Sequence, residues 1–101
     1  MRKFNSDRNG NNFSISTIQA VWLKGQIIPG YNSNLWRRDA CGAVIYRLHY
    51  GNIYSRFGWE VDHVKPVAKW GSDLLLNLQP LQWQNNRKKS DNLVWFCAVN
   101  Y

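Results

Sequence analysis

The chain has few cysteines and no long apolar run, and so has few of the residues that form structural metal sites or membrane spans. Cysteine occurs only at Cys41 and Cys97, without a C-x-x-C pair, so a four-cysteine zinc site is excluded. The longest apolar run, residues 93–99, is far below the ~20 residues that a bilayer-crossing helix needs. Residues 1–13 are polar and lack the apolar region of a secretory signal. We therefore expect no membrane span, a cytoplasmic location and, in that reducing compartment, two free thiols that are at least partly buried.

Acidic residues are also scarce. Six Asp and Glu stand against thirteen Lys and Arg, which gives a formal net charge of +7. This excess favours a polyanionic partner, with nucleic acid the commonest choice and an acidic membrane surface the second. Charge alone does not separate these partners from a basic protein whose charge serves solubility, so the function has to be read from particular residues.

Apolar and aromatic side chains are plentiful enough for one small core. The chain has 101 residues, of which 45% are hydrophobic and 15% aromatic, including six tryptophans. Tryptophan buries a large area with little backbone, which suits a small irregular fold. We expect one domain over residues 14–101, preceded by a flexible basic tail over residues 1–13 that contains Arg2, Lys3 and Arg8.

The spacing of apolar and turn residues predicts an α+β fold. Ser16 and Gln19 fit a capping box, and the apolar spacing that follows predicts a helix over 16–26. A β-hairpin is expected around the turn at Cys41-Gly42. Its strands lie near 36–39 and 43–46, and the later elements are a strand over 59–64, a loop over 65–76, a strand over 77–81 and a helix over 82–90. Pro80 predicts that the second of these strands lies at an edge or ends early.

The adjacent pair Asp62-His63 carries groups that phosphodiester cleavage requires. Histidine is the side chain whose ordinary pKa suits the deprotonation of water near neutral pH. A carboxylate and an amide oxygen can hold a divalent metal ion against the phosphate, and Asp62 and Asn86 supply these oxygens. Neighbouring side chains of a strand point to opposite faces. Both can therefore reach one phosphate only if the strand ends or twists there, and Pro66 agrees with such an end.

These residues belong to an ordered set that resembles the HNH endonuclease motif. The set comprises the segment WEVDHVKPVA (59–68), Gly71-Ser72-Asp73, NLQPL (77–81) and NNRKKSD (85–91), with weaker similarity in RDACG (38–42) and Tyr50-Gly51. The resemblance implies a ββα-metal fold over about 58–90. It implies His63 as general base, Asp62 as a ligand of one divalent metal, and Asn77 as the residue that pins the loop backbone and so orients His63.

The last position of the motif holds an asparagine. Asn86 stands where many relatives have a histidine, and the resemblance implies that it still ligates the metal, which makes an H-N-N site. Mg²⁺ is the expected ion, with Mn²⁺ or another divalent ion as alternatives. Asn85 competes for this position, but the N-x-x-K spacing to Lys89 favours Asn86.

The chain departs from the family at two places. The cysteine pairs that bind a structural zinc in many HNH domains are missing, and Gln82 and Asn85 stand where one pair would be. We expect no structural zinc and a tryptophan-rich core in its place. Trp70 replaces the first glycine of the usual Gly-Gly, so the loop is expected to have a different shape.

Several other residues have two interpretations. A basic surface beside the metal is expected to meet phosphates, and it comprises Lys65, Lys69, Arg87, Lys88 and Lys89. Glu60 could position metal or water, although a surface position is the commoner one. Asp73 is expected to shape the loop, and His49 to be non-catalytic. Arg37, Arg38 and Arg47 could line a nucleic-acid groove, but a solvated basic face is favoured for each.

The sequence thus predicts a divalent-metal endonuclease acting on DNA, with RNA also open as a substrate. One alternative is an HNH-derived module that binds nucleic acid without cutting it. Another is a basic protein that meets an acidic inhibitor. The sequence does not indicate the oligomeric state.

Overall fold

Two short helices and two small antiparallel sheets make up the described residues, 3–101, of the computed structural model. The α+β class expected from the sequence is therefore confirmed. Met1 and Arg2 lie outside the described residues. Within residues 3–101 no helix has the length and apolar character needed to cross a membrane.

The first helix, α1, covers Ile15–Trp22 and so begins earlier and ends earlier than predicted. Ser14, not Ser16, is the N-cap, and its Oγ accepts a hydrogen bond from the backbone N–H of Thr17 at 3.2 Å. The sequence offered two serines at capping positions, and the earlier one satisfies the free N–H group. The helix buries Val21 and Trp22.

The helix ends four residues before its predicted end because residues 24–27 turn and join a sheet. The short strand β1, Gln26–Ile27, pairs with β2, Trp36–Arg38, and β2 pairs with β3, Val44–Tyr46, all antiparallel. The predicted hairpin is β2–β3, while β1 is an additional strand. Arg37 is buried, and its guanidinium donates to the backbone oxygens of Ser33, Leu23 and Gly25. Its role is therefore to hold the end of α1 against the sheet.

The second sheet is formed by β4, Trp59–His63, and β5, Leu78–Gln82, in antiparallel pairing. In this register Asp62 lies opposite Gln79 and His63 opposite Leu78. Pro80 is part of β5, which has no strand on its other side. The edge position predicted from the proline is confirmed, whereas the strand does not end early.

The second helix, α2, follows β5 directly and packs against both strands of that sheet. It covers Trp83–Lys89, and the side chain of Gln82 caps its start by accepting from the N–H groups of Gln84 and Asn85. All five residues of β4 are buried. Asp62 faces α2, where it contacts Lys89, whereas the His63 ring packs on Phe13, so any polar role for either residue depends on the groups packed around it.

Two of the six tryptophans form the centre of the core. Trp22 and Trp59 contact each other with ring centroids 5.3 Å apart. Around them lie Phe13, Val21, Ile45, Val61 and Leu78. The prediction of a tryptophan-rich core holds for this pair, whereas Trp70 is 84% exposed.

Residues 3–13, predicted as part of a flexible tail, pack along the domain. Phe13 belongs to the core and Ser6 is buried. The side-chain oxygen of Asn5 accepts from the N–H of Val61 and from the hydroxyl of Tyr50, both at 2.8 Å. Burial raises the pKa of this tyrosine hydroxyl. The residues that anchor this segment are 45 and 56 positions away in sequence. The polar composition of the segment, which suggested a tail, therefore gave no sign of them.

The C-terminal segment, residues 91–101, is fastened by a buried polar cluster. The Asn85 side chain accepts from the N–H groups of Ala98 and Val99 and donates to the Val99 oxygen. Asp39, also buried, accepts a further hydrogen bond from Asn85 Nδ2 at 3.0 Å. Asn85 is thus committed to the C-terminal segment.

Cys41 and Cys97 form a disulfide, which corrects the expectation of two free thiols. Their Cα atoms are 5.9 Å apart although 56 residues separate them in sequence. The Asp39–Asn85 cluster brings the C-terminal segment beside the turn between β2 and β3, and so places the two cysteines together. Cys97 is exposed, so the expected burial does not hold for it.

Reducing the disulfide should lower the free energy of unfolding by about 2–4 kcal/mol, because the bond closes a long loop in the unfolded chain. Urea denaturation with and without dithiothreitol measures this effect. The double variant Cys41→Ser/Cys97→Ser is the control, since dithiothreitol should leave its stability unchanged. Equal stability of the oxidised and reduced wild type would contradict the expectation.

Candidate active site

The predicted site residues Asp62, His63 and Asn86 line one small cavity of about 60 Å³. Strand β4 ends at His63, as it must if neighbouring side chains of a strand are to reach one substrate atom. The opposite wall is the N-terminal segment, which the sequence did not indicate as part of a site. The residues of that segment on the cavity wall are Lys3, Phe4, Asn5 and Ser6.

The His63 ring is held by a carboxylate. Its Nε2 lies 2.7 Å from Asp73 Oδ1, and its side chain is 7% exposed. The Phe13 ring packs on it with centroids 5.9 Å apart. When Nε2 donates to Asp73, Nδ1 keeps the lone pair that a general base needs. The sequence gave Asp73 only a role in loop shape, so this contact was missed; the ten-residue separation gave no local signal for it.

Asp73 also receives the N-terminal segment. Both of its carboxylate oxygens accept from the backbone N–H of Arg8 at 3.2 Å. The N-terminal segment therefore contacts the same carboxylate that holds the candidate base.

Asp62 is buried with two polar partners. Its Oδ2 accepts from Gln79 Nε2 at 2.9 Å, and its Oδ1 lies 3.3 Å from Lys89 Nζ. Burial raises the pKa of this carboxyl, while the hydrogen bond from Gln79 and the charge of Lys89 oppose that rise. A carboxylate has about four lone-pair sites, so these two contacts leave capacity for a further ligand.

Asn77 holds both ends of the loop after β4. Its Oδ1 accepts from Lys65 N at 2.9 Å, and its Nδ2 donates to the oxygens of Lys65 and Ser72. Its backbone oxygen accepts from Val64 N at 2.8 Å. These bonds span the chain between His63 and Asp73, and they are of the kind that the resemblance implied for this residue.

Asn86 is oriented by a buried carboxylate. Its Nδ2 donates to Glu60 Oε1 at 2.9 Å, and Glu60 also pairs with Arg87 at 2.9 Å. This hydrogen bond uses the amide nitrogen, so the oxygen, which a hard metal ion would prefer, is not committed to Glu60. The commoner surface interpretation of Glu60 is wrong, since the residue is 3% exposed. Its alternation with Asp62 along β4 was the available signal.

The five predicted phosphate-binding residues have different surroundings. Lys89 is 1% exposed, and its Nζ donates to the backbone oxygen of His63 at 2.8 Å. The prediction that it meets phosphates is corrected, because the Lys89 side chain faces β4 and not solvent. Arg87 lies over the Phe4 ring at 4.3 Å, and Lys69 Nζ donates to the Asp91 oxygen. Lys65 and Lys88 are exposed.

His49 lies outside this cavity. It belongs to the short 3₁₀ turn Arg47–His49, and its Nδ1 is 2.6 Å from Ser55 Oγ. Its ring packs edge-on against Tyr46. The chain therefore contains a second histidine that can serve as a matched control.

The donor set of the cavity fits a hard divalent ion that keeps water or substrate ligands. Asp62 offers a carboxylate and Asn86 an amide oxygen, and Mg²⁺ is commonly bound by one or two carboxylates together with substrate phosphates. Within residues 3–101 there is no group of three or more His, Cys, Asp and Glu side chains that could hold a metal. The described residues therefore offer no such group of three ligands for an ion. Asp62 and Asn86 can form a ligand set that water or substrate completes.

Comparison of the chain with protein-family models, curated proteins and solved structures finds no match.

Proposed function

We propose that this chain is a metal-dependent endonuclease of the HNH type, which hydrolyses phosphodiester bonds of DNA. In this proposal β4, β5 and α2 form a ββα-metal core. The observation that carries it is the shared cavity of Asp62, His63 and Asn86. Asp62 and His63 belong to β4 and Asn86 belongs to α2. A purely structural role would not require a base, a carboxylate and an amide oxygen in the lining of one cavity.

His63 acts as the general base. Nδ1 takes a proton from the attacking water while Nε2–H donates to Asp73, whose negative charge stabilises the imidazolium that forms. Asn77 keeps the loop that carries Asp73 at a fixed distance from β4. Asp73 is thus a positioning residue, and its contact with the ring at 2.7 Å supports this role.

Asp62 and Asn86 would hold one divalent ion, Mg²⁺ in the first instance. Such an ion would supply charge neutralisation at the scissile phosphate and the leaving 3′ oxygen. Gln79 fixes the Asp62 carboxylate and Glu60 fixes the Asn86 amide, so both ligands are held before substrate arrives. The expected products carry 5′-phosphate and 3′-hydroxyl ends.

The net charge supports nucleic acid as the substrate. Exposed Lys65 and Lys88, with Lys69 at the rim beside Asp91, can contact phosphates on either side of the cavity. The expected cytoplasmic location stays a prediction. The Cys41–Cys97 disulfide does not support it, because thiols in the cytoplasm are mostly kept reduced.

Supercoiled plasmid incubated with the protein tests the activity. Cleavage is expected with Mg²⁺ or Mn²⁺, and none is expected with EDTA. Asp62→Asn should weaken Mg²⁺ binding by about tenfold or more, because one charged ligand is lost. The effect would be seen as a higher Mg²⁺ concentration at the half-maximal cleavage rate. Asp91→Asn is the control, because it removes a second carboxylate of the cavity lining that the proposal does not assign to the metal. Its Mg²⁺ requirement should match that of the wild type. Cleavage that persists in EDTA would contradict the proposal.

The second candidate function is a module that binds nucleic acid without cutting. The Lys89–Asp62 contact of 3.3 Å favours it to a degree, because a buried cation already balances the ligand carboxylate. Tight DNA binding with no cleavage under any divalent metal would select this candidate.

A further inference from the structure

Trp70 has an unfavourable backbone conformation, and its side chain packs against almost nothing. Its φ of 71° and ψ of 21° are left-handed, a conformation that favours glycine and that is unusual for a bulky residue. Its side chain is 84% exposed. The fold therefore gains little from this tryptophan and would accept glycine more readily, which makes an outlier of this kind a reason to look for a function.

The position of Trp70 connects it with the candidate site. It directly follows the short 3₁₀ turn Val67–Lys69, and its N–H donates to the Val67 oxygen. Pro66 and Val67 line the cavity that holds Asp62 and His63. The other end of the same loop carries Asp73, the hydrogen-bond partner of His63. Trp70 thus lies on the loop between two cavity-lining residues and the carboxylate that holds His63.

The chemical surroundings of the indole favour nucleic acid as its partner. Lys65 and Lys69 precede it on the loop and are exposed, and a cationic surface with an exposed aromatic side chain is how proteins hold single-stranded nucleic acid. Leu74 and Leu76, which follow in sequence, are also exposed, by 62% and 81%. Lysines beside a flat ring complement a strand that has phosphates on one side and bases on the other.

We propose that Trp70 stacks on an unpaired base of the substrate strand, close to the scissile phosphate. This inference rests on the proposed function, because it takes DNA as the substrate, and it defines the substrate class more narrowly. The chain should prefer single-stranded or locally unpaired DNA to a fully paired duplex. Backbone strain at residue 70 is then retained because glycine could not supply the ring.

Binding measured without catalysis tests the proposal. The full chain is titrated, in EDTA, into single-stranded and duplex oligonucleotides that contain 2-aminopurine, and both fluorescence anisotropy and 2-aminopurine quenching are followed. Trp70→Ala should weaken single-strand binding about tenfold, within the range known for loss of one base–aromatic stack, and should remove the quenching. Trp70→Phe should retain most of both signals. Tyr54→Ala, which removes another exposed aromatic ring outside the cavity, should bind as the wild type does.

Stability provides a second measurement with the opposite sign. Trp70→Gly should raise Tm by a few degrees, because the left-handed backbone is relieved, while it lowers affinity as Trp70→Ala does. A variant that lost both Tm and affinity would point to a structural role and overturn the proposal. Trp70-dependent self-association in sedimentation, without an effect on DNA binding, would overturn it as well.

The two proposals fail separately. If the wild type binds DNA and Trp70→Ala binds it equally well, the stacking role is overturned while metal-dependent cleavage is unaffected. If Trp70-dependent binding is present but no divalent metal supports cleavage, the nuclease proposal fails and the stacking role remains.

Discussion

Replacement of His63 by alanine should lower the rate of plasmid cleavage by about a hundredfold to ten-thousandfold, the usual contribution of a general base. The substitution removes the only imidazole among the described residues that line the cavity. Initial rates at saturating Mg²⁺ measure the effect, and the thermal unfolding curve of the same sample shows whether the protein remains folded.

His49→Ala is the matched control for this prediction. It removes the second histidine, which bonds to Ser55 outside the cavity, so cleavage should remain near the wild-type rate. If His63→Ala cuts as fast as the wild type does, the mechanism is wrong. Asp73→Asn should give an intermediate rate with unchanged Mg²⁺ dependence, because it weakens the support of the imidazolium without altering a proposed metal ligand.

Replacement of Asp39 by alanine should destabilise the fold by roughly 4 kcal/mol or more, the largest stability effect that we expect of one side chain. This carboxylate is 1% exposed. It accepts from four donors, namely the N–H groups of Cys41, Ala43 and Gln82 and Nδ2 of Asn85. Each buried donor that loses its partner costs about 1–3 kcal/mol.

Urea denaturation of Asp39→Ala, with the disulfide intact, measures this loss. Asp91→Ala is the control because it removes an exposed carboxylate of the same type, and its stability should stay within about 0.5 kcal/mol of the wild type. A loss below about 1 kcal/mol for Asp39→Ala would show that the four hydrogen bonds to Asp39 contribute little to stability. The expected result would leave the plasmid activity per folded molecule unchanged.

The elements that carry the candidate site were predictable because their signals are local. The alternation over Trp59–His63 and the order of strand, loop, strand and helix are properties of neighbouring residues. The candidate residues could be selected because a base, a carboxylate and an amide were required together by one reaction. Their shared cavity depends on the packing of α2 against β4 and β5.

Interactions over long sequence separations could not be predicted in this way. Asn5 contacts Val61, Asp39 contacts Asn85, and Cys41 bonds to Cys97 across 46 to 56 residues. No periodicity connects such positions. The N-terminal wall of the cavity, the disulfide and the cluster under the C-terminal segment therefore appeared only in the folded structure.

The error at Lys89 has a different cause. A lysine in the last turn of a helix is usually solvated and favourable to the helix dipole, which made a phosphate contact plausible. In the fold, the buried Asp62 and the free backbone oxygen of His63 take its ammonium group. Composition alone cannot show that a carboxylate and a carbonyl will be buried opposite a lysine.

The Asp39–Asn85 cluster has a consequence for how this protein would depend on its surroundings. Because hydrogen bonds hold the C-terminal segment, we expect that removal of a catalytic ion would leave this segment in place. A chelator should then stop cutting without unfolding the molecule, and readdition of the ion should restore it within mixing time. In the proposed mechanism the cleavage rate would rise and fall reversibly with the concentration of free divalent ion, with one ion bound per active molecule.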